Sequence, residues 1–525
     1  MDYRLDRLYG SFLHRELAVS WLALANLLGG RHRWDLRQGR FTVLEFGCGF
    51  GQNLLFNAAA HPEAQFFGID FHPGHVAQAT ARARDLGLTN VTFAAADLRD
   101  FASGRPERGP CRSWPAEFDL VIAHGVASWV GAHTREALVQ AAGHCLVPGG
   151  LFYCSYNTYP GWLSRSPLQM LGLELGLRSG HNTSEESLQQ AATWLSQLLD
   201  REAGGAPLGA QLPQLAGAIE GLSKAPSSYL VGEYQATHQP LYVGRFHRSC
   251  AEVGLAHVGT ANLPELFPQM LDPRRAAWVD QASDPSVREI LLDLAINQTF
   301  RRDLFARGVV PPNPAEHRAE LAALPLVLRR ESLRGREEFP TSLGTMAIDA
   351  PILEAMHAFL ADGPRTLGEL AAEPLQGSAP LDLLPQLALL LHENLLGCDP
   401  FAALAATSQP ELQAADAADV AAFNQQLANL ASFAKGAGGL LAPGLRLPVP
   451  LEDVQILLAQ VEGLGLGDAE RLQMVWLGMQ MVGITPLDPQ GEPIRSDEAV
   501  LALLAQIWES FQANGMEDLR RLGIC

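Results

Sequence analysis

The sequence predicts an α/β protein: a parallel sheet covered by helices on both faces, extended by a helical insertion and a mainly helical C-terminal region. Three observations predict it. Between residues 41 and 157, apolar runs of strand length alternate with helix-patterned stretches, the order that builds βαβ units. The first run, Thr42-Val43-Leu44-Glu45-Phe46, leads directly into Gly47, Gly49 and Gly51 and then a helix, as at the ligand-binding edge of such sheets. Finally, 525 residues at 47% hydrophobic and 18% charged make a globular composition long enough for two to four cores.

In chain order, residues 11–28 carry apolar side chains at helical spacing and stop at Gly29-Gly30, a helix C-terminus. Strands are expected at 41–46, 65–69, 91–95, 118–123 and 151–155, with helices from Gln52, over 74–86 and over 134–145. Residues 166–224, rich in Ala, Leu and Gln, read as the helical insertion. A helix over 246–253 and a strand over 255–263, joined at Gly254, are expected to return the last strands to the sheet. Residues 275–305 read as helical, and Val310-Pro311-Pro312-Asn313-Pro314 marks a boundary. Residues 351–396 alternate helices with short turns, as small helical or winged-helix modules do. The expected division is 1–165, 166–224, 225–310 and 336–525.

Charge and cysteine usage narrow the function. Lys and Arg number 38 against 57 Asp and Glu, a net −19, so a broadly basic surface for nucleic acid is absent and no nucleic acid partner is expected. The acidic surface suits either solubility or attraction of basic substrate segments. Seven dispersed Cys, with no C-x-x-C pair and no Cys/His ligand spacing, point to a reducing compartment and no metal site. With neither an apolar leader nor a membrane-spanning run, the expected location is the cytoplasm.

The glycine triplet locates a ligand at the carboxyl edge of the first strand, where backbone must approach closely. A dinucleotide fingerprint, G-x-G-x-x-G, needs glycine where Gln52 stands, which disfavours NAD and FAD. Asp70 and Asp97 end the next two strands, and a carboxylate at such an edge can accept two hydroxyl donors at once.

Glu45-x-Gly47-x-Gly49-x-Gly51 resembles the first motif of class I S-adenosylmethionine-dependent methyltransferases, which have a Rossmann-like core. The order and spacing of Asp70, Asp97 and the turn Val147-Pro148-Gly149-Gly150 agree. The resemblance implies S-adenosylmethionine as cofactor: Gly47, Gly49 and Gly51 admit its methionine end, Asp70 holds the ribose hydroxyls, Asp97 meets the adenine amino group and Leu98 contacts the ring. Glu45, Asn53, Phe71 and His124 complete the expected cofactor set.

A narrower resemblance covers residues 40–305. His124-Gly125-Val126-Ala127-Ser128-Trp129-Val130 and Ser155-Tyr156-Asn157-Thr158-Tyr159-Pro160-Gly161-Trp162 look like the bacterial methyltransferases bearing a methyltransferase regulatory domain. That group includes protein-lysine methyltransferases acting on outer-membrane proteins. The likeness continues at Tyr229-Leu230-Val231-Gly232-Glu233-Tyr234, Pro240-Leu241-Tyr242, Gly254-Leu255 and Asn297-Gln298-Thr299-Phe300-Arg301-Arg302-Asp303-Leu304. Ala127 departs from an aromatic and Gly232 from a His, which implies a wider or differently tuned acceptor pocket. The implied function is methyl transfer to a protein lysine amine, with His124, Asn157 and Tyr159 aligning the acceptor and Trp129, Tyr156, Trp162, Tyr229 and Tyr234 binding it. For His124 a structural hydrogen-bonding role, and for Trp129 and Trp162 ordinary packing, remain open alternatives. So do a small-molecule N- or O-methyltransferase, a cofactor-binding regulatory protein without turnover, and a homodimer.

The last third holds no catalytic constellation, and neither His357 nor His392 has an evident partner. Residues 383–396 contain no Lys or Arg, unlike a DNA-reading helix, so protein contact is expected there.

Overall fold

A computed structural model of the chain describes residues 12–36, 40–180, 185–199, 212, 214–222, 233–234, 237–329, 338–375, 379–407, 417–429, 439–442, 445–462, 464, 466–482, 484–487, 493–522 and 524. Its centre is a seven-stranded sheet made of β1 (Thr42–Phe46), β2 (Gln65–Asp70), β3 (Val91–Ala95), β4 (Phe118–Ala123), β5 (Leu146–Asn157), β6 (Leu255–Thr260) and β7 (Phe300–Arg307). The order is β3-β2-β1-β4-β5-β7-β6. Strands β1 to β5 pair in parallel, whereas β7 runs antiparallel to both β5 and β6.

Strands β1 and β4 read as nearly continuous apolar runs because helices cover both faces of the sheet. Register brings their carboxyl ends level: Phe46 lies beside Ile69 and Ala123, and Asp70 beside Ala95. From β1 the chain builds outward to β2 and β3, then returns to build β4 and β5 on the other side. The switch between β1 and β4 opens the crevice in which such sheets bind ligands. The covering helices are α1 (Val19–Gly29), α2 (Gln52–Ala60), α3 (Pro73–Asp85) and α4 (Ala132–Cys145). The insertion supplies α5 (Ser166–Arg178), α6 (Glu185–Leu199) and α7 (Leu215–Leu222), which close a small core around Leu168, Leu188, Leu195, Leu215 and Tyr234.

Three expectations are corrected. Residues 11–28 are not one helix: a short 3-10 turn, Arg15–Leu17, precedes α1, with Ala18 extended between them. Asn57 on α2 causes the break, accepting the Val19 N–H at 2.9 Å and donating to the Leu17 carbonyl at 2.9 Å. Residues 275–305 are not helical throughout: after α8 (Val243–Glu252) come α9 (Pro273–Val279) and α10 (Pro285–Ile296), but Asn297 enters the left-handed region at φ 51° and ends the helix. Strand β7 begins three residues later, at Phe300. The strand expected over 255–263 stops at Thr260.

Beyond α11 (Pro314–Ala322), the segments Pro325–Leu328, Arg365–Thr366 and Leu396–Cys398 form a three-stranded sheet among helices. This C-terminal region is continuous with the core beneath the main sheet. Phe41 meets Phe401 with ring centres 6.2 Å apart, Phe56 meets Phe423 at 5.4 Å, and Ser20 donates to the Arg446 carbonyl at 2.8 Å.

Candidate active site

A cavity of about 770 Å³ opens at the carboxyl edge of the sheet and runs across the switch between β1 and β4. One end is lined by Gly47, Gly49, Asp70, Phe71, His75, Asp97, Leu98 and Arg99, the other by Ser128, Trp129, Tyr156, Asn157, Trp162, Arg165 and Glu233. His124 and His14 stand between them, with Thr299, Phe300 and Arg302 of the β7 end.

The turn after β1 shows why two of its glycines are not equivalent. Gly49 has φ 53°, and a Cβ there would meet no atom within 4 Å, so its missing side chain leaves room on the cavity wall. Its N–H donates to Asp70 Oδ2 at 2.9 Å. Gly51 has φ 71°, and its Cβ would lie 2.5 Å from Phe93 Cζ, so it is required for packing and does not line the cavity. Glu45 is likewise off the cavity wall. It is buried, with no partner for Oε2 among the described residues, and burial, followed by the nearby Asp70 carboxylate, pushes its pKa up to about 8. Asn53 faces the N-terminal segment, where Oδ1 accepts the His14 N–H at 2.8 Å.

Asp70 reaches the cavity with its carboxylate already oriented. Oδ1 accepts the His72 N–H at 2.8 Å and lies 3.1 Å from His75 Nδ1. The carboxylate still has acceptor capacity for a ligand hydroxyl. Asp97 is more committed: it accepts the Arg99 N–H at 2.9 Å and pairs with the guanidinium at 2.5 Å. Phe71 is 40% exposed on the rim, a flat apolar surface beside Leu98.

At the centre, His124 Nδ1 lies 3.0 Å from the Tyr153 hydroxyl and 3.1 Å from Ser155 Oγ, and its ring rests 4.2 Å from that of His14. Burial, then the charges of His14 and Arg302, hold its pKa well below the usual value, so the imidazole is neutral at pH 7.

The far end is aromatic with a polar focus. Asn157 Nδ2 donates to Glu233 Oε1 at 2.7 Å and lies 2.8 Å from His238 Nε2, while Trp129 Nε1 donates to Glu233 Oε2 at 3.1 Å. Trp162 packs on His238 with ring centres 4.7 Å apart, and the Arg165 guanidinium lies 4.9 Å from the centre of the Trp162 ring. Tyr156 lines the cavity while its hydroxyl donates to buried Asp303 at 2.5 Å, which fixes the ring. Behind it, Asp303 also meets His247 at 2.8 Å and Arg301 Nε at 2.9 Å, so the cluster His247, His257 and Asp303 already has a guanidinium counter-charge.

Two residues expected at the acceptor end lie off the wall. Tyr159 packs on Tyr242 with ring centres 4.7 Å apart, because its backbone N–H is drawn to the Leu241 carbonyl. Tyr234 is buried in the core of the insertion. Tyr229 and Gly232 lie outside the described residues. Sequence reasoning did not single out Phe12, His14, His75, Arg165, Glu233, Thr299, Phe300 or Arg302 as wall residues. Four of these stood in quoted segments: Glu233 in 229–234, and Thr299, Phe300 and Arg302 in 297–304. His14 carried no local signal.

Comparison with known proteins agrees with this geometry. Residues 44–152 match the family described as a methyltransferase domain, and residues 226–307 match a predicted methyltransferase regulatory domain. The chain carries an S-adenosylmethionine-dependent methyltransferase domain. The cofactor of this methyltransferase is S-adenosylmethionine. The methyltransferase is 28% identical over 531 residues to uncharacterized protein sll1526 of Synechocystis sp., covering 99% of each chain. It is 34% identical over 108 residues to trans-aconitate 2-methyltransferase of Methylobacterium nodulans, covering 21% of this chain and 35% of that one. Its fold is similar to that of PKMT2 from Rickettsia typhi in complex with AdoHcy, with TM-score 0.66 and 18% identity over 98% of this chain and 99% of that chain. Among the described residues, no helix of the methyltransferase is long and apolar enough to cross a membrane.

Proposed function

We propose that the methyltransferase transfers a methyl group to a primary amine of a protein, a lysine side chain. One observation carries this reading: a single cavity joins the Gly49 and Asp70 edge of the sheet to an aromatic end that holds one carboxylate, Glu233. Gly47, Gly49, Asp70, Phe71 and Leu98 are the residues that would hold S-adenosylmethionine, since the open position at Gly49 and the preset Asp70 carboxylate suit a nucleoside with an adjoining chain. When bound, that cofactor supplies an electrophilic sulfonium methyl.

The protein's own contribution is positioning and desolvation. A nucleophile held about 3–3.5 Å from its target gains most of the rate that a second-order encounter lacks. A lysine must also lose a proton, which from a pKa of ~10.4 to pH 7 costs roughly 4.6 kcal/mol. The rings of Trp129, Tyr156 and Trp162 exclude water and so lower that cost. The net charge of −19 favours basic substrate segments. The similarity in fold to PKMT2 is in keeping with such an acceptor.

The test is transfer from methyl-labelled S-adenosylmethionine into a host lysate, followed by hydrolysis of the labelled protein and amino acid analysis. Label is expected as methylated lysine. Label confined to small molecules overturns the reading.

A further inference from the structure

We propose that Glu233 receives the acceptor amine and takes its proton, with Asn157 as the second contact and His238 as a positioning residue; this rests on the amine-acceptor reading above. The hydrogen bonds around Asn157 lead to it. Asn157 Nδ2 has two hydrogens, and both are committed: one to Glu233 Oε1 at 2.7 Å, the other to His238 Nε2 at 2.8 Å. The amide is therefore fixed in one orientation, and its carbonyl Oδ1, which no donor reaches among the described residues, is left as an acceptor on a residue that lines the cavity. Glu233 is 4% exposed, and each of its oxygens accepts one bond, from Asn157 and from Trp129, which leaves acceptor capacity on both.

An ammonium seated here meets two acceptor groups of defined direction, Asn157 Oδ1 and the Glu233 carboxylate. One of its N–H bonds breaks, an O–H bond forms on Glu233, and the electron pair stays on nitrogen, ready for the methyl group. Burial favours that exchange from both sides, since it disfavours the charged amine and the charged carboxylate alike. The groups facing Glu233 are consistent with it. Burial raises its pKa above the usual carboxylate value, outweighing the Asn157 hydrogen bond, the Arg165 charge and the Trp129 hydrogen bond, each of which lowers it. Burial, then Arg165, lowers His238 to about 3, so that ring stays a neutral acceptor for Asn157 and adds no competing cation. Tyr234, raised to about 12 chiefly by burial, stays protonated. A hydroxyl acceptor would fill one of the two acceptor groups and leave the other unmatched, so the seat selects amines.

The test uses the full chain with poly-L-lysine and with n-butylamine as acceptors. Glu233→Gln is expected to lower kcat on both by about 100-fold and to remove the acid limb of the pH–rate profile. Affinity for S-adenosylhomocysteine should stay within about twofold, and calorimetric binding of n-butylammonium to the S-adenosylhomocysteine-loaded protein should weaken about tenfold. Glu233→Asp should keep the acid limb at a reduced rate, and it carries the test if Glu233→Gln does not fold. His238→Ala should lower kcat with the limb retained. Wild-type rates and an unchanged pH profile in Glu233→Gln overturn this inference and leave the amine reading intact. A wild-type protein that methylates neither amine, yet transfers to an alcohol, overturns both.

Discussion

Gly49 and Gly51 share a left-handed backbone and differ in what a side chain would meet. Gly51→Ala adds contact with Phe93 to the conformational cost, an expected loss of about 2–5 kcal/mol. Gly49→Ala incurs the conformational cost alone, about 1–2 kcal/mol, but narrows the cavity. Melting temperature should therefore fall further in Gly51→Ala, and affinity for S-adenosylhomocysteine should fall further in Gly49→Ala; the reverse ranking would refute the assignment. Glu45 gives a pH signature. Its folded pKa of about 8 lies above the ~4.3 expected when unfolded, so the folded state binds the extra proton. Its contribution to stability is complete below the unfolded value and is lost as pH rises toward 8. Melting temperature should decline over that window in the wild type and decline less in Glu45→Gln, measured by calorimetry across pH. A common glycine-and-acid motif thus covers distinct jobs, and only neighbours far off in sequence, Phe93 for Gly51 and Asp70 for Gly49, tell them apart.

Among elements, α2 does more than cover the sheet. Asn57 bridges the end of the 3-10 turn to the start of α1, and Asn53 one turn earlier holds His14 over the cavity. Asn57→Leu leaves the buried Val19 N–H and the Leu17 carbonyl without partners, an expected loss of about 2–4 kcal/mol in denaturant unfolding. A change below about 0.5 kcal/mol would show that water or a backbone shift replaces the bridge. Strands β1 and β4 were legible because burial on both faces makes them nearly continuously apolar, and Gly or Asp close to the ends of β1 to β4 marks where each stops. Strand β7 was not legible. Arg301, Arg302, Asp303 and Arg307 crowd it with charge, and its pairing depends on Arg301 being buried against Glu289, Asp293 and Asp303, three carboxylates supplied by α10 and by β7 itself. The split of residues 11–28 was hidden for a related reason: helical spacing persists through Arg15–Leu17, and the interruption comes from a side chain on α2.

On the scale of the whole molecule, the cavity wall is drawn from segments that span residues 12 to 302. One end of that wall was legible in the sequence, since Gly49, Asp70 and Leu98 follow successive strands. Less of the other end was legible, because Glu233 and Phe300 are brought in by a helical excursion and an antiparallel return. The C-terminal region is tied to the same core. Arg15, next to His14, donates to the His392 carbonyl at 3.0 Å and to Asn394 Oδ1 at 2.7 Å, and Phe401 and Phe423 cover Phe41 and Phe56. A chain ending at residue 312 uncovers those rings and is expected to aggregate on size-exclusion chromatography, whereas the intact protein should melt in one main calorimetric transition. A monodisperse, folded fragment would show that the two parts are separable.

The placement of β7 has a consequence for the order of assembly. Strand β6 leaves the ribosome about 40 residues before β7, yet β7 lies between it and β5. A nascent chain must therefore hold β6 in waiting, with the flank of β5 bare, until β7 arrives to pair with both. Thr299, Phe300 and Arg302 arrive with that strand, so the cavity wall is complete only once β7 has emerged.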